Sequence, residues 1–266
     1  MHPVSLPAIG VTVTLCQLTG VEDMMLLEAP PITTIEAELA LSTALVERLA
    51  VAPDDAPIDW RDVPITDLDI LLLRLRQARI GDRVRGDVAC PAIGCAERVQ
   101  ISFGIDEFLD YAGSETAAPV PSAVPGWFDV PRSDNCVRFR LPTPRDIVAS
   151  ARTAKPVRSL AARCIHPPTA TGPQRRRAER AMEAIAPLSV RLLQGDCPAC
   201  GAAVTAHFDI RRFCLRELRD QAIFIYDDID LLAGNYHWSE GAILSLGADR
   251  RARYASRVRS AILAAA

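Results

Sequence analysis

Cys90-Pro91-Ala92-Ile93-Gly94-Cys95 and Cys197-Pro198-Ala199-Cys200-Gly201 are two cysteine pairs that open on the same tripeptide, Cys-Pro-Ala. Their surroundings match in one ungapped register. Counted from the second cysteine of each pair, position +4 is Val99 or Val204, and +8 is Phe103 or Phe208. Position +10 is Ile105 or Ile210, and +13 is Phe108 or Phe213. Two knuckles that merely bind the same metal would share the cysteines but not the apolar residues that follow. An upstream echo, Leu15-Cys16-Gln17-Leu18-Thr19 against Phe139-Arg140-Leu141-Pro142-Thr143, ends a strand and enters a helix in each half. The pattern predicts a duplicated unit of strand, helices, knuckle, strand and helix.

A Cys-x-x-Cys turn presents two sulfurs to one metal, and four thiolates complete a tetrahedral structural zinc site. Cys197 and Cys200 have that spacing, with Gly201 free to take a left-handed conformation. Cys90 and Cys95 stand two residues further apart, with Ile93-Gly94 as the insertion. The expectation is one shared site of Cys90, Cys95, Cys197 and Cys200, clamping the two repeats with a single structural Zn2+. One rival has two separate sites completed by His207, or by Cys164 and His166. Another has reduced, metal-free thiols or a labile disulfide. Cys16, Cys136, Cys164 and Cys214 read as small buried hydrophobes.

Hydrophobic periodicity extends the reading outward. Thr33 with Glu36 signals a helix start, and Ile35, Leu39, Val46 and Leu49 carry its apolar face. A second helix runs from about Thr66 to Arg79, with Leu68, Leu71, Leu72 and Leu75 at helical spacing and Gly81 as its stop. Ala52 to Pro57 reads as a loop, and residues 112–126 as a linker rich in Pro, Ala and Ser. A strand is expected near Val190. One long helix is expected from about Arg211 to Ala233, followed by C-terminal helices. The fold class is α+β and helix-rich, with a zinc-ribbon-like site. The expected divisions are a first repeat over 1–111, a linker over 112–126, a second repeat over 127–234 and a C-terminal helical element over 235–266.

The chain has 266 residues, of which 49% are hydrophobic and 24% charged, enough for a packed core. A net charge of −3 disfavours a general nucleic-acid binder. Lys155 is the only lysine among 30 basic residues, a bias in which single arginines carry no functional signal. Neither a signal peptide nor a membrane-spanning run is expected, so the cysteines are read in a reducing compartment. No phosphate loop, zinc-protease helix or nucleophile elbow occurs, and the reading is non-enzymatic. Asp227, Asp228 and Asp230 read as part of a solvated helix face. So do the basic clusters Arg175 to Arg177 and Arg250, Arg251, Arg253, Arg257 and Arg259.

Ile65-Thr66-Asp67-Leu68-Asp69, then Leu71-Leu72-Leu73-Arg74-Leu75-Arg76, then Gly81-Asp82 and a cysteine knuckle, resembles the T-even-type phage baseplate hub assembly chaperone family. Zinc-knuckle relatives of that family occur in contractile phage tails and contractile injection systems. Tyr236-His237-Trp238-Ser239, followed by Ile243-Leu244-Ser245-Leu246, Arg250 and Tyr254, is similar to short elements of tail-assembly proteins. The resemblance covers residues 11–29, 62–109 and 188–258. It implies a zinc-binding protein that assists assembly of a baseplate hub, with baseplate or hub proteins as partners and no membrane. It implies a place in the bacterial cytoplasm or in the assembled tail or injection particle. Trp238, Ile243 and Leu246 are the expected partner-binding anchors, with packing onto the chain's own core as the other reading. The alternatives are a permanent structural baseplate subunit and a zinc-ribbon nucleic-acid-binding protein.

Overall fold

The computed structural model describes residues 2–52, 58–114, 116–130, 137–186 and 191–265. Most of the loop expected over Ala52 to Pro57, the strand end near Val190, and Cys136 lie outside these residues.

The first half begins with the hairpin β1 (His2–Leu6) and β2 (Val11–Leu15), followed by α1 (Gly20–Glu28), α2 (Ile35–Leu49), β3 (Ala50–Val51) and α3 (Ile65–Ile80). It ends with the hairpin β4 (Arg83–Ala89) and β5 (Arg98–Gly104) and with α4 (Ile105–Ser114). The second half runs β6 (Phe128–Asp129), β7 (Arg138–Phe139), α5 (Pro144–Ala151), α6 (Pro156–Cys164), β8 (Ile165–His166) and α7 (Gly172–Ile185). It continues through β9 (Arg191–Asp196), β10 (Ala203–Phe208) and α8 (Ile210–Ala222). Helices α9 (Ile225–Tyr236), α10 (Glu240–Leu244) and α11 (Ala248–Ala265) follow. Among the described residues, the order β-β-α-α-β-α-β-β-α therefore occurs twice in succession.

Local chemistry recurs with that order. In each half a three-stranded antiparallel sheet places the second strand in the middle, β1-β2-β3 and β6-β7-β8. The residue after the middle strand donates its amide to the last turn of the second helix: Cys16 to Leu49 at 2.7 Å and Arg140 to Cys164 at 2.9 Å. Thr19 with Glu22 and Thr143 with Asp146 then form capping boxes at α1 and α5. Each satisfies amides that a helix start leaves unpaired.

The main core gathers both sheet hairpins of the first half around α3. Leu68, Leu71, Leu72, Leu73 and Leu75 are all buried, so apolar contact surrounds this helix instead of following one stripe. Each such leucine contributes about 1.5–3 kcal/mol of transfer free energy. The last helix of the second half enters the same core: Ile210, Cys214, Leu215, Leu218 and Ala222 of α8 pack there. A smaller cluster of Val130, Val137, Phe139, Ile165, Ala170 and Ala178 forms under the second sheet.

Buried ions fix these packings. Arg211 of α8 reaches Glu38 of α2 at 3.0 Å and Asp69 of α3 at 2.7 Å. Asp67 accepts amides of Ala8 and Ile9, both at 3.1 Å, and so holds the β1–β2 turn. Burial pushes the Asp67 carboxyl up to about 6 against those two bonds. Arg251 of α11 is shared between Asp23 of α1 and Asp228 of α9.

Several expectations need correction. The long helix expected from about Arg211 to Ala233 is two helices, broken at Ile223 and Phe224, so the faces of α8 and α9 do not run on from one another. Asp228 is buried and paired with Arg251 and Arg259, not part of a solvated face. The N-cap of α2 is Thr34, one residue beyond the Thr33 expected. Strand β1 appears where no element was expected, whereas helix α1 begins directly after Thr19, where the echo of Leu15–Thr19 with Phe139–Thr143 expected a helix to be entered.

Candidate metal centre

Each cysteine pair caps an antiparallel hairpin. In the first, Arg83 to Ala89 pair with Arg98 to Gly104 in unbroken register. In the second, Arg191 to Asp196 pair with Ala203 to Phe208. Beyond the last ladder pair the amide of the first cysteine still bonds across the turn: Cys90 to Glu97 and Cys197 to Ala202, both at 2.9 Å. The turn then reverses through a glycine of positive φ, Gly94 at 81° and Gly201 at 70°. In the first knuckle the amide of Cys95 bonds Ala92 at 3.0 Å. The two added residues thus form a tight turn of their own and present Cys95 on the same side as Cys90. They leave Ile93 wholly in solvent.

The four sulfurs converge. Cys90 Sγ lies 3.6 Å from Cys200 Sγ, and Cys95 Sγ lies 3.9 Å from Cys197 Sγ. All four are within 4.8 Å of one another. A tetrahedron with zinc–sulfur bonds of about 2.3 Å requires sulfurs about 3.8 Å apart. The close contacts run crosswise, first cysteine of one pair to second cysteine of the other, as a two-fold arrangement of two knuckles demands. Among the described residues this is the one group of three or more metal-ligating side chains close enough to share an ion.

The surroundings are apolar. Val88, Val99, Val204, Ala92 and Ala202 pack around the sulfurs. Cys90 and Cys197 are buried, Cys95 is half-buried and Cys200 is exposed. Backbone amides of Cys200 and Ala199 point at the Cys197 sulfur and hold that thiol down at about 7, against burial. The amide of Ala92 favours the Cys90 thiolate, but burial and the neighbouring thiols outweigh it and push Cys90 up to about 12. Four sulfurs gathered without a cation cannot all ionise together. A divalent soft cation removes that conflict by taking every proton's place.

The residues at matching positions after the two cysteine pairs meet. Phe103 and Phe208, both at +8, pack edge to face with centroids 5.2 Å apart. Phe108 and Phe213, both at +13, flank them at 5.2 Å each. Ile105 and Ile210, both at +10, are buried at the starts of α4 and α8. The sequence reading found these matches without showing that they touch.

The other candidates lie apart. Cys164 is buried at the end of α6 and His207 is exposed on β10; neither joins the four sulfurs. Cys214 is buried in the main core as expected, whereas Cys16 is half-buried. Ile243 is buried with Leu232 and Val258, the core packing that stood as the other reading of the expected anchors. Trp238 is half-buried, stacked on Tyr236 with centroids 4.9 Å apart and edge-on to Tyr254 at 5.0 Å. Leu246 is half-buried and takes part in the backbone bond that ties Gly20 to the C-terminal helices at 3.3 Å.

No protein-family model matches the chain, and neither does any curated protein or solved structure. No described helix is long and apolar enough to cross a membrane.

Proposed function

We propose that Cys90, Cys95, Cys197 and Cys200 hold one structural Zn2+ that clamps two copies of a duplicated unit. The convergence of four sulfurs from knuckles more than a hundred residues apart carries this reading. Four thiolates leave no coordination position for water or substrate, so the ion stabilises and takes no part in a reaction. The twofold recurrence of the element order, the capping boxes and the meeting of the +8 phenylalanines support the duplication.

On this reading the protein is a non-enzymatic factor that assists assembly of the baseplate hub of a contractile tail or injection system. The support is the resemblance of residues 11–29, 62–109 and 188–258 to the baseplate hub assembly chaperone family. Gradient fractionation of a native lysate, followed with an antibody, tests the role. An assembly factor sediments in the light fractions with one hub protein. Sedimentation with finished particles would instead make it a permanent subunit, and release by nuclease would overturn both.

A further inference from the structure

Charge is divided unevenly between the halves. Residues 1–111 contain eight Lys/Arg and eighteen Asp/Glu. Residues 152–186, which span α6 and α7, contain eight Lys/Arg and two Asp/Glu. The arginines of the first half are largely neutralised: Arg48, Arg74, Arg76 and Arg79 pair with Glu22, Asp106, Glu217 and Asp23. On α6 and α7 the pattern reverses. Lys155, Arg158, Arg163, Arg176 and Arg177 make no ion pair among the described residues. Among the described residues, Arg175 donates only to the carbonyls of Ala170 and Pro168, and Arg180 only to that of Arg176.

Three of these cations, Lys155, Arg158 and Arg175, rim a cleft of about 440 Å3 that is also lined by Val157, Ala161 and Glu179. Its floor is aliphatic. Val157 is 82% exposed, an apolar side chain held in water beside three positive charges. No Phe, Trp or Tyr occurs in residues 152–186, so the cleft offers bases no ring to stack on. Unpaired cations around an apolar floor match an acidic segment that also carries an aliphatic anchor.

We infer that the α6–α7 cleft is a docking surface for an acidic, leucine-bearing segment of a partner protein. The carboxylates pair with Lys155, Arg158 and Arg175, and an apolar side chain covers Val157 and Ala161. Charge pairs at such a rim set the encounter rate and selectivity, while the covered apolar floor retains the partner. The surface is separate from the four-sulfur centre and stands whether or not the baseplate reading does.

The test uses the full chain and a fluorescein-labelled peptide of alternating glutamate and leucine, followed by anisotropy. Binding should weaken about tenfold or more in Lys155→Glu/Arg158→Glu, and also in Val157→Asp, with metal content and circular dichroism unchanged. It should also weaken as salt rises, because screening shortens the reach of rim charges. Equal affinity for wild type and both variants would overturn the inference. So would tighter binding of single-stranded DNA of equal length that the charge reversals abolish, which would assign the cleft to nucleic acid. Loss of self-association in the charge-reversed variant, with no peptide binding by the wild type, would assign it to a second copy and overturn it equally.

Discussion

Replacing Cys197 by serine removes one sulfur from the buried side of the centre and tests how much the clamp contributes. Its magnitude follows from chain topology. The contacts join residues 102 and 110 positions apart, so the ion closes a loop of about a hundred residues in the unfolded chain. A cross-link over such a loop stabilises by about 4.7 kcal/mol in the chain-entropy picture. Serine coordinates zinc poorly, so most of that contribution should vanish. For a chain of this size one kcal/mol moves the midpoint by about 2–4 °C, which predicts a fall in Tm of about 10–20 °C. The protein should not unfold outright, because α8 remains anchored in the main core and Arg211 still bridges Glu38 and Asp69. Calorimetry on Cys197→Ser beside wild type, each with and without chelator, measures both quantities. Chelator should lower the wild-type midpoint toward the variant's and leave the variant's where it was. A variant that melts with wild type and still carries one equivalent of metal would refute the reasoning.

Other perturbations probe the packing around the centre. Phe208→Ala removes the ring that meets Phe103, Phe108 and Phe213 and should destabilise by about 3–5 kcal/mol in urea titrations while one metal equivalent is retained. A loss below about 1 kcal/mol would mean that the aromatic contact is not a joint between the halves. Burial raises Asp67 to about 6, so its ionisation opposes folding: that contribution to stability is whole below the unfolded-state value and is lost as pH rises through about 6. Asp67→Asn should therefore gain on wild type by about 2 kcal/mol between pH 4 and pH 7, measured as the difference in urea stability. A difference that stays flat with pH contradicts the assignment.

What the sequence disclosed and what it concealed divide along physical lines. The knuckles were legible because Cys-x-x-Cys is a local pattern set by ligand geometry, and α3 because its leucines recur at helical spacing. The flank matches at +8, +10 and +13 were legible in the sequence, but their contact depends on how two hairpins approach one another, which no single hairpin encodes. The entry into helix α1 after Thr19 was legible from the upstream echo, but its extent was not, because Gly20 at its first position resembles a turn. The break at Ile223 and Phe224 escaped because both are good helix-compatible apolar residues; Phe224 closes no apolar stripe and stays exposed. Nothing in the local sequence marks Asp23, Asp67 and Asp69 as buried carboxylates. Their partners Arg251, Ala8, Ile9 and Arg211 lie 58 to 228 positions away, beyond any local pattern.

The most direct measurement is zinc stoichiometry with X-ray absorption at the zinc edge on untagged protein. The account predicts one zinc per chain with four sulfur neighbours at about 2.3 Å and no nitrogen or oxygen in the shell. Two zinc ions per chain, a shell containing histidine nitrogen, or metal-free protein that melts at the same temperature before and after zinc is added would contradict it.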